Sequence, residues 1–410
     1  MPQLFLLSIV IIGILYISLF FWRKKIQYTR TLETVFLRVT LPKKNSESDT
    51  RKETTKDFKE MVSLMEQLLA SLKSTYSGKI LKKIMGQDIL SLEYIAHESE
   101  IFFYVTCSKN YKKLIEKQIN GFYMDAIIEE TKEVNIFEKR KYYATSYLNT
   151  KKPFYYPIKT YQKLESDPIN NISNAFSKLE EDQSAAIQIL LKPVDDDWQG
   201  KCSAMSSKMM HGKHSFFTLN PFKIFVALFE ALVRNNEEDK SGKDDSSSAL
   251  TQERSKTVDE KGDKTGYQAI IRIITTSNSA EDSEVELKNI LSSFSQFSYP
   301  DFNKFFYTLH HSQNTLIKNY IYRHFSRPFW LKKMILNTEE IASLFHFPHI
   351  RYNETPEIKW QNFKIVKAPH DIPKEGLLLG ENIHRGIKKE IRIKTEDRFR
   401  HFYVIGQTGT

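Results

Sequence analysis

Residues Leu4 to Trp22 read LFLLSIVIIGILYISLFFW, and no charged side chain interrupts them. A run like this constrains the chain more than any other feature, because a globular core seldom covers a helix on every side. At ~1.5 Å per residue, about 19 residues give roughly 28 Å, close to the ~30 Å hydrocarbon thickness of a bilayer. Tyr16, Phe20, Phe21 and Trp22 gather toward the inner end, where amphipathic rings favour an interface. A cleavable signal would carry basic residues before the run and small residues after it. Met1, Pro2 and Gln3 are not basic, and Arg23, Lys24, Lys25 and Arg30 follow. The pattern predicts a single transmembrane anchor within residues 1–30. The N-terminus would lie outside and the bulk of the chain in the cytoplasm, at the inner membrane.

Downstream, the periodicities alternate between those of strands and helices. Thr34–Leu41 alternates and is rich in β-branched residues, as a strand requires. Phe58, Met61, Val62, Met65, Leu68, Leu69 and Leu72 recur at helical spacing. Ser91–Ala96 and Ile101–Thr106 read as a hairpin around the polar turn 97–100. A second helix covers Asn110–Asn120, with Gly121 expected to close it. Ala126–Glu130 and Tyr142–Leu148 are further strands. Strand, helix, strand, strand, helix, strand is the split βαβ, or ferredoxin-like, plan. The expected class is α+β, with the first such module over residues 31–150.

Residues 151–330 are expected to form a second α+β module. Ser184–Pro193 and Tyr267–Thr276 read as buried strands, and Pro221–Val233 and Ser283–Phe297 as helices. The likeness of AAIQILL to QAIIRII suggests that each opens a related half. Between them, residues 234–266 carry many charges and serines and few apolar side chains, which predicts a flexible insertion.

Basic residues number 60 against 50 acidic ones, a net charge of +10 that suits an anionic partner or an ordinary solvated surface. Cys107 and Cys202 are the only cysteines and neither lies in a CxxC, which argues against a disulfide scaffold or a zinc ribbon and fits a reducing compartment. His211 and His214, with Cys202, fall short of a metal set. His346 and His349 flank Pro348 and read as structural. Asp195, Asp196 and Asp197 lack the alternation of a calcium loop and read as a turn. Tyr155, Tyr156 and the phenylalanines from Phe294 to Phe306 could stack on bases, but the core reading is favoured. No nucleophile–base pair is legible.

The C-terminal segment is more specific. Asn337 and Glu340 have the spacing of a capping box ahead of Ile341, Leu344 and Phe345. Glu390–Lys394 alternates as a strand does. Phe402–Ile405 is an apolar strand running into Gly406. Gly406, Gln407, Thr408, Gly409 and Thr410 fill the first five positions of G-x-x-x-x-G-K-[ST], whose backbone N–H groups cradle phosphate. Three stretches carry a wider resemblance: ILNTEEIASLFHFP (335–348), KAPHDIPKEGLLLGENIHRG (367–386) and DRFRHFYVIGQTGT (397–410). They resemble the conjugative-transfer and type IV secretion ATPases of the HerA/FtsK-like branch of P-loop motors.

The resemblance implies that residues 331–410 begin a P-loop ATPase core, and that Gly406 to Thr410 open its nucleotide loop. It also implies ATP and Mg²⁺ as cofactors, a hexameric homo-oligomer, and ATP-driven movement of DNA or protein across the membrane, with secretion-complex proteins as possible partners. The Lys and Ser/Thr of the motif are not in the sequence, so the chain as written is expected not to hydrolyse ATP. The alternatives are a non-enzymatic tethered scaffold and a DNA-binding adaptor.

Overall fold

The alternation at Thr34–Leu41 is a strand in the structure, a computed structural model that describes residues 2–43, 57–210, 245–309, 313–328, 331–353, 355–361, 366–384 and 387–401. In β1 (Thr34–Thr40) Val35, Leu37 and Val39 are buried on one face. Helix α2 (Phe58–Leu72) presents Val62, Met65, Leu69 and Leu72 to the same layer. A short helix, α3 (Ile80–Met85), leads to the hairpin of β2 (Leu90–His97) and β3 (Glu100–Ser108). Helix α4 (Lys112–Phe122) buries Ile115 and Ile119, and β4 (Ile127–Thr131) follows. The strands lie in the order β4-β1-β3-β2, every neighbour antiparallel, which is the split βαβ order.

The same order then recurs. Strand β5 (Tyr142–Thr150), α2's counterpart α5 (Ile169–Phe176), β6 (Ser184–Pro193), the paired helices α6 (Asp197–Met210) and α7 (Asp245–Gly262), β7 (Gly266–Ser277), α4's counterpart α8 (Ala280–Ser293) and β8 (Phe305–Leu309) complete a second set. Its order is β6-β7-β5-β8, again antiparallel. Numbering the strands within each set gives 4-1-3-2 and 2-3-1-4, so the two sets meet through their second strands. There β2 pairs β6 antiparallel from Leu90↔Leu191 to Ala96↔Ala185. The result is one continuous sheet, with β9 (Met334–Asn337) added beside β7 after helix α9 (Gln313–Ile321).

Helices α2, α4, α5 and α8 bury their apolar sides in one cluster with a single face of this sheet. Helix α10 (Thr338–Leu344) joins that layer against α2. The other face is covered more thinly. Ile95, Tyr104, Tyr147, Ala186, Leu190, Ile270 and Ile274 meet Ile136 from the β4–β5 connection and Leu316, Tyr320 and Leu331 from α9 and the segment after it. A third cluster packs α6 and α7 beside Phe302 and Ile335 around Trp198, Cys202 and Val258. The body closes where residue 361 returns to the start: Gln361 N donates to Leu41 O at 2.9 Å, and Lys43 N to Gln361 O at 3.0 Å. Beyond it, β10 (Leu377–His384) and β11 (Ile387–Ile393) form a separate two-stranded hairpin.

Several expectations need correction. Among the described residues no helix is long and apolar enough to cross a membrane, which overturns the predicted transmembrane helix. The run from Leu4 is instead the first part of α1 (Pro2–Leu32), a single helix of 31 residues. It continues past Trp22 through its basic flank, and its last turns are tied to the body: Arg30 Nη1 donates to Gly86 O at 2.8 Å. The inner-membrane placement rested on that span. The strand at Tyr142–Leu148 pairs with β7 and β8, so it opens the second set rather than closing the first. AAIQILL and QAIIRII are neighbours, β6 and β7, of one set rather than first strands of two. Gly121 lies inside α4, which ends at Phe122.

Of the stretch read as a flexible insertion, Asp245–Gly262 is helical. Ser255, Val258 and Lys261 are buried there at a spacing of three, a narrow face that few apolar residues announce. Residues 234–244, the predicted helix at 221–233 and the strand at 402–405 lie outside the described residues. After residue 361 the elements among the described residues are the hairpin and a short 3-10 turn, Glu396–Phe399.

Candidate functional site

Register aligns one polar or ionic side chain from each of eight strands on the thinly covered face. Across the sheet the row reads Glu129, Arg38, Tyr104, Glu93, Gln188, Arg272, Tyr147 and Thr308, each directly opposite the next. At the centre, Glu93, Gln188 and Arg272 have no exposed surface. Burying such groups costs several kcal/mol unless each finds partners.

The segment after α9 supplies them. Arg323, held at φ 47°, turns back onto the sheet. Its Nε and Nη2 donate to the two oxygens of Glu93, both at 2.9 Å, and its Nη1 donates to Glu133 at 2.6 Å. Glu93 Oε1 also accepts from Ser91 at 2.6 Å and from Gln188 at 3.2 Å. Arg272 has no carboxylate among its bonded groups. It donates to Gln188 Oε1 and Asn319 O, each at 2.9 Å, to Ser326 O at 3.2 Å and to His324 O. Burial works against the charge on both arginines. For Arg323 the neighbouring Glu93 and Glu133 outweigh it and the pKa rises, whereas for Arg272 burial wins and the pKa falls. Burial also raises the Glu133 carboxyl, against the pull of Arg323.

At one end of this floor lies a cleft of about 70 Å³. Its walls are the last turns of α1, the starts of β1 and β2, the ends of β3 and β6, and residues Tyr322 to Phe325. Arg30 forms one wall, fixed by the carbonyls of Gly86 and Gln87. Gln87 in turn clamps Ser77, accepting from its N–H at 2.9 Å and donating to its carbonyl at 2.8 Å. Tyr28 packs on Tyr322 at 5.8 Å between ring centres, so α1 and the Arg323 segment meet across the opening. Lys192, next to Pro193 at the end of β6, sets its ammonium 4.5 Å from the Phe325 ring centre. Burial and the charges of Lys333, Arg23 and Arg327 push its pKa down to about 8.

This arrangement can hold charge in fixed positions and attract an anion. It offers no nucleophile beside a base, and no group of three or more metal-ligating side chains occurs among the described residues. Cys107 and Cys202 are both buried, which raises their thiols to about 12 and about 11, so neither is a ready nucleophile.

Gly406, Gln407, Thr408, Gly409 and Thr410 lie outside the described residues, as do His211 and His214. Asp196 pairs with Lys73 at 3.3 Å and Asp197 begins α6, so the three aspartates do not converge. Tyr155 and Tyr156 pack against the Trp198 cluster, as the core reading held. The capping box is present: Glu340 N donates to Asn337 Oδ1 at 2.9 Å, and Asn337 N to Glu340 Oε2 at 3.0 Å. Glu340 also meets the buried Lys261 at 2.9 Å. His346 Nε2 meets Asp167 at 3.0 Å; burial opposes ionisation of that carboxyl, but His346 outweighs it and holds its pKa low. Ser343 accepts from Tyr161 N at 2.8 Å. The polar residues of ILNTEEIASLFHFP are therefore fasteners between α10 and the second set. Sequence reasoning missed Glu93, Gln188, Arg272 and Lys192. The signal available was a polar or charged residue on the inward register of an otherwise apolar strand.

The fold and cleft define a two-module α+β protein whose described residues carry ionic fixtures rather than a catalytic constellation. The chain belongs to the family described as Domain of unknown function (DUF8128), whose profile matches residues 28–361. That match ends where Gln361 closes the body. No curated protein matches the sequence.

Proposed function

We propose that residues 28–361 are a rigid, non-catalytic platform at the front of a P-loop ATPase of the conjugation or type IV secretion kind. The ATPase would use ATP and Mg²⁺ to move DNA or protein, and the platform would position the motor and its partners. One observation carries this reading: the ILNTEEIASLFHFP stretch, which resembles that ATPase group, is the buried fastener of α10. It holds the body together shortly before the chain leaves it for the segment that ends in Gly406–Thr410. A platform suits a region whose described buried cations are all tied in place, Arg323 and Lys261 by carboxylates and Arg272 by Gln188 and backbone carbonyls. ATP would bind at the loop that Gly406 opens, outside the described residues.

The experiment is nucleotide binding by the protein as its gene encodes it, including whatever follows Thr410. A fluorescent ATP analogue with Mg²⁺ is expected to bind, and Gly406→Val to abolish binding by closing the turn that presents the phosphate-binding N–H groups. An encoded protein that binds no nucleotide at millimolar concentration rules out the motor and leaves a scaffold.

A further inference from the structure

Lys192, half-buried at the end of β6, differs from the carboxylate-paired cations of the body. Arg323 has Glu93 and Glu133, Lys261 has Glu340, and Lys264 has Glu66 and Glu339. Among the described residues no carboxylate lies within ion-pair distance of Lys192. Its ammonium instead faces the Phe325 ring at 4.5 Å. The one carboxylate in the lining, Asp88, is already shared by Arg30 at 3.5 Å and Lys82 at 2.6 Å. The ring face offsets only part of the Lys192 charge, and the cationic lining of the cleft, Lys192 with Arg23, favours an incoming anion.

We infer that the cleft at the end of β6 binds the phosphate group of a small ligand, with the half-buried Lys192 as the counter-charge and Arg23 of α1 at the rim. The size of the cleft sets the class. A water needs roughly 10–15 Å³ of such space, so about 70 Å³ holds about five waters. A tetrahedral oxyanion with part of its hydration fits. Ser108 brings a hydroxyl group to the lining, whereas that of Thr34 donates to the Arg30 carbonyl. Arg30 acts as a positioning residue, since its guanidinium is already spent on backbone carbonyls and Asp88. The proposal is independent of whatever follows Thr410.

The phosphate could be free or part of a small phosphomonoester, and calorimetry separates the two. Inorganic phosphate and glycerol 3-phosphate are titrated into the full chain at pH 7 and constant ionic strength, with acetate as the control anion. Binding is expected for at least one phosphate ligand and not for acetate. Lys192→Met is expected to weaken it at least tenfold, and Lys192→Arg to retain most of it. Binding of inorganic phosphate alone identifies the free ion, and a preference for glycerol 3-phosphate identifies an ester. Equal affinities in the wild type and Lys192→Met, or no binding of either phosphate ligand, overturns the inference. Should Lys192→Met fail to fold, Arg23→Gln on the exposed rim carries the test. A threefold or greater loss supports the site, and no loss overturns it.

Discussion

Glu93 and Lys192 sit on the same face of the sheet, yet burial has opposite consequences for them. Glu93 is completely enclosed and receives two bonds from Arg323. Removing one member of a buried pair leaves the other charge uncompensated, typically at a cost of about 3–5 kcal/mol. Glu93→Gln leaves Arg323 with Glu133 alone and is therefore expected to lower stability by up to that amount in urea titrations. A loss below about 1 kcal/mol would show that the pair is not what holds the segment after α9. Lys192 has a ring but no carboxylate, and its folded pKa of about 8 lies below the ordinary lysine value of 10.5. A base depressed on folding binds fewer protons in the native than in the unfolded state between those two values. Stability then rises with pH from about 8 to about 10.5, by up to roughly 3 kcal/mol, and below pH 8 the native state bears the full cost. Lys192→Met should thus raise the urea midpoint at pH 7, and the advantage should shrink by pH 10. Parallel curves for the two proteins across that range would rule this out.

At the scale of elements, two turns of the chain show where residue identity decides geometry. The β2–β3 hairpin turns through Glu98 at φ 51° and Ser99 at φ 59°. Two positive φ values suit a tight two-residue turn whose twist matches the strands, but they strain residues that carry a side chain. Ser99→Gly should stabilise the protein by about 1 kcal/mol, read as a rise in melting temperature. A fall would mean that the serine side chain has a role beyond the turn. The start of β7 fails in the opposite direction. A Cβ on Gly266 would lie 2.5 Å from the Trp198 ring, against the face of α6. Gly266→Ala should cost about 1–3 kcal/mol, and adding Trp198→Leu should recover part of that loss. Strict additivity of the two changes would separate the residues.

Those elements also show what the sequence made legible. Ser184–Pro193 was read with its observed bounds, because Ile187, Ile189 and Leu191 face one cluster while Ala186 and Leu190 face the other, so the strand is apolar on both sides. The capping box was legible because its two bonds are local. Its buried partner Lys261 was not, because 79 residues separate it from Glu340. Helix α7 escaped notice because the face it buries is Ser255, Val258 and Lys261, only one of them apolar. The cleft escaped notice because its walls come from α1, four strands and the segment after α9, a convergence that no local pattern records.

For the molecule as a whole, the important contact is the seam between β2 and β6. The cluster under α2, α4, α5 and α8 runs across it without interruption, and the polar row crosses it at Glu93↔Gln188. Two modules sharing one core should unfold together rather than in turn. Native-state hydrogen exchange should give the amides of β2 and β6 the same, highest opening free energy, while β10 and β11 exchange much faster. Two distinct values for the two halves would show that the modules are independent.

The seam has another consequence. A strand at the border of a sheet offers unpaired N–H and C=O groups to any passing chain, and natural proteins blunt such borders with charge, brevity or a covering segment. Strands β2 and β6 have few of these defences: of their seven paired positions, residues 90–96 are buried throughout, as are 185–191. Each is hidden only by the other. Cutting the protein between the modules would therefore produce two adhesive halves, prone to self-association or to exchange of partners between molecules. The repeated strand order that makes this one sheet also makes its halves dependent on staying joined.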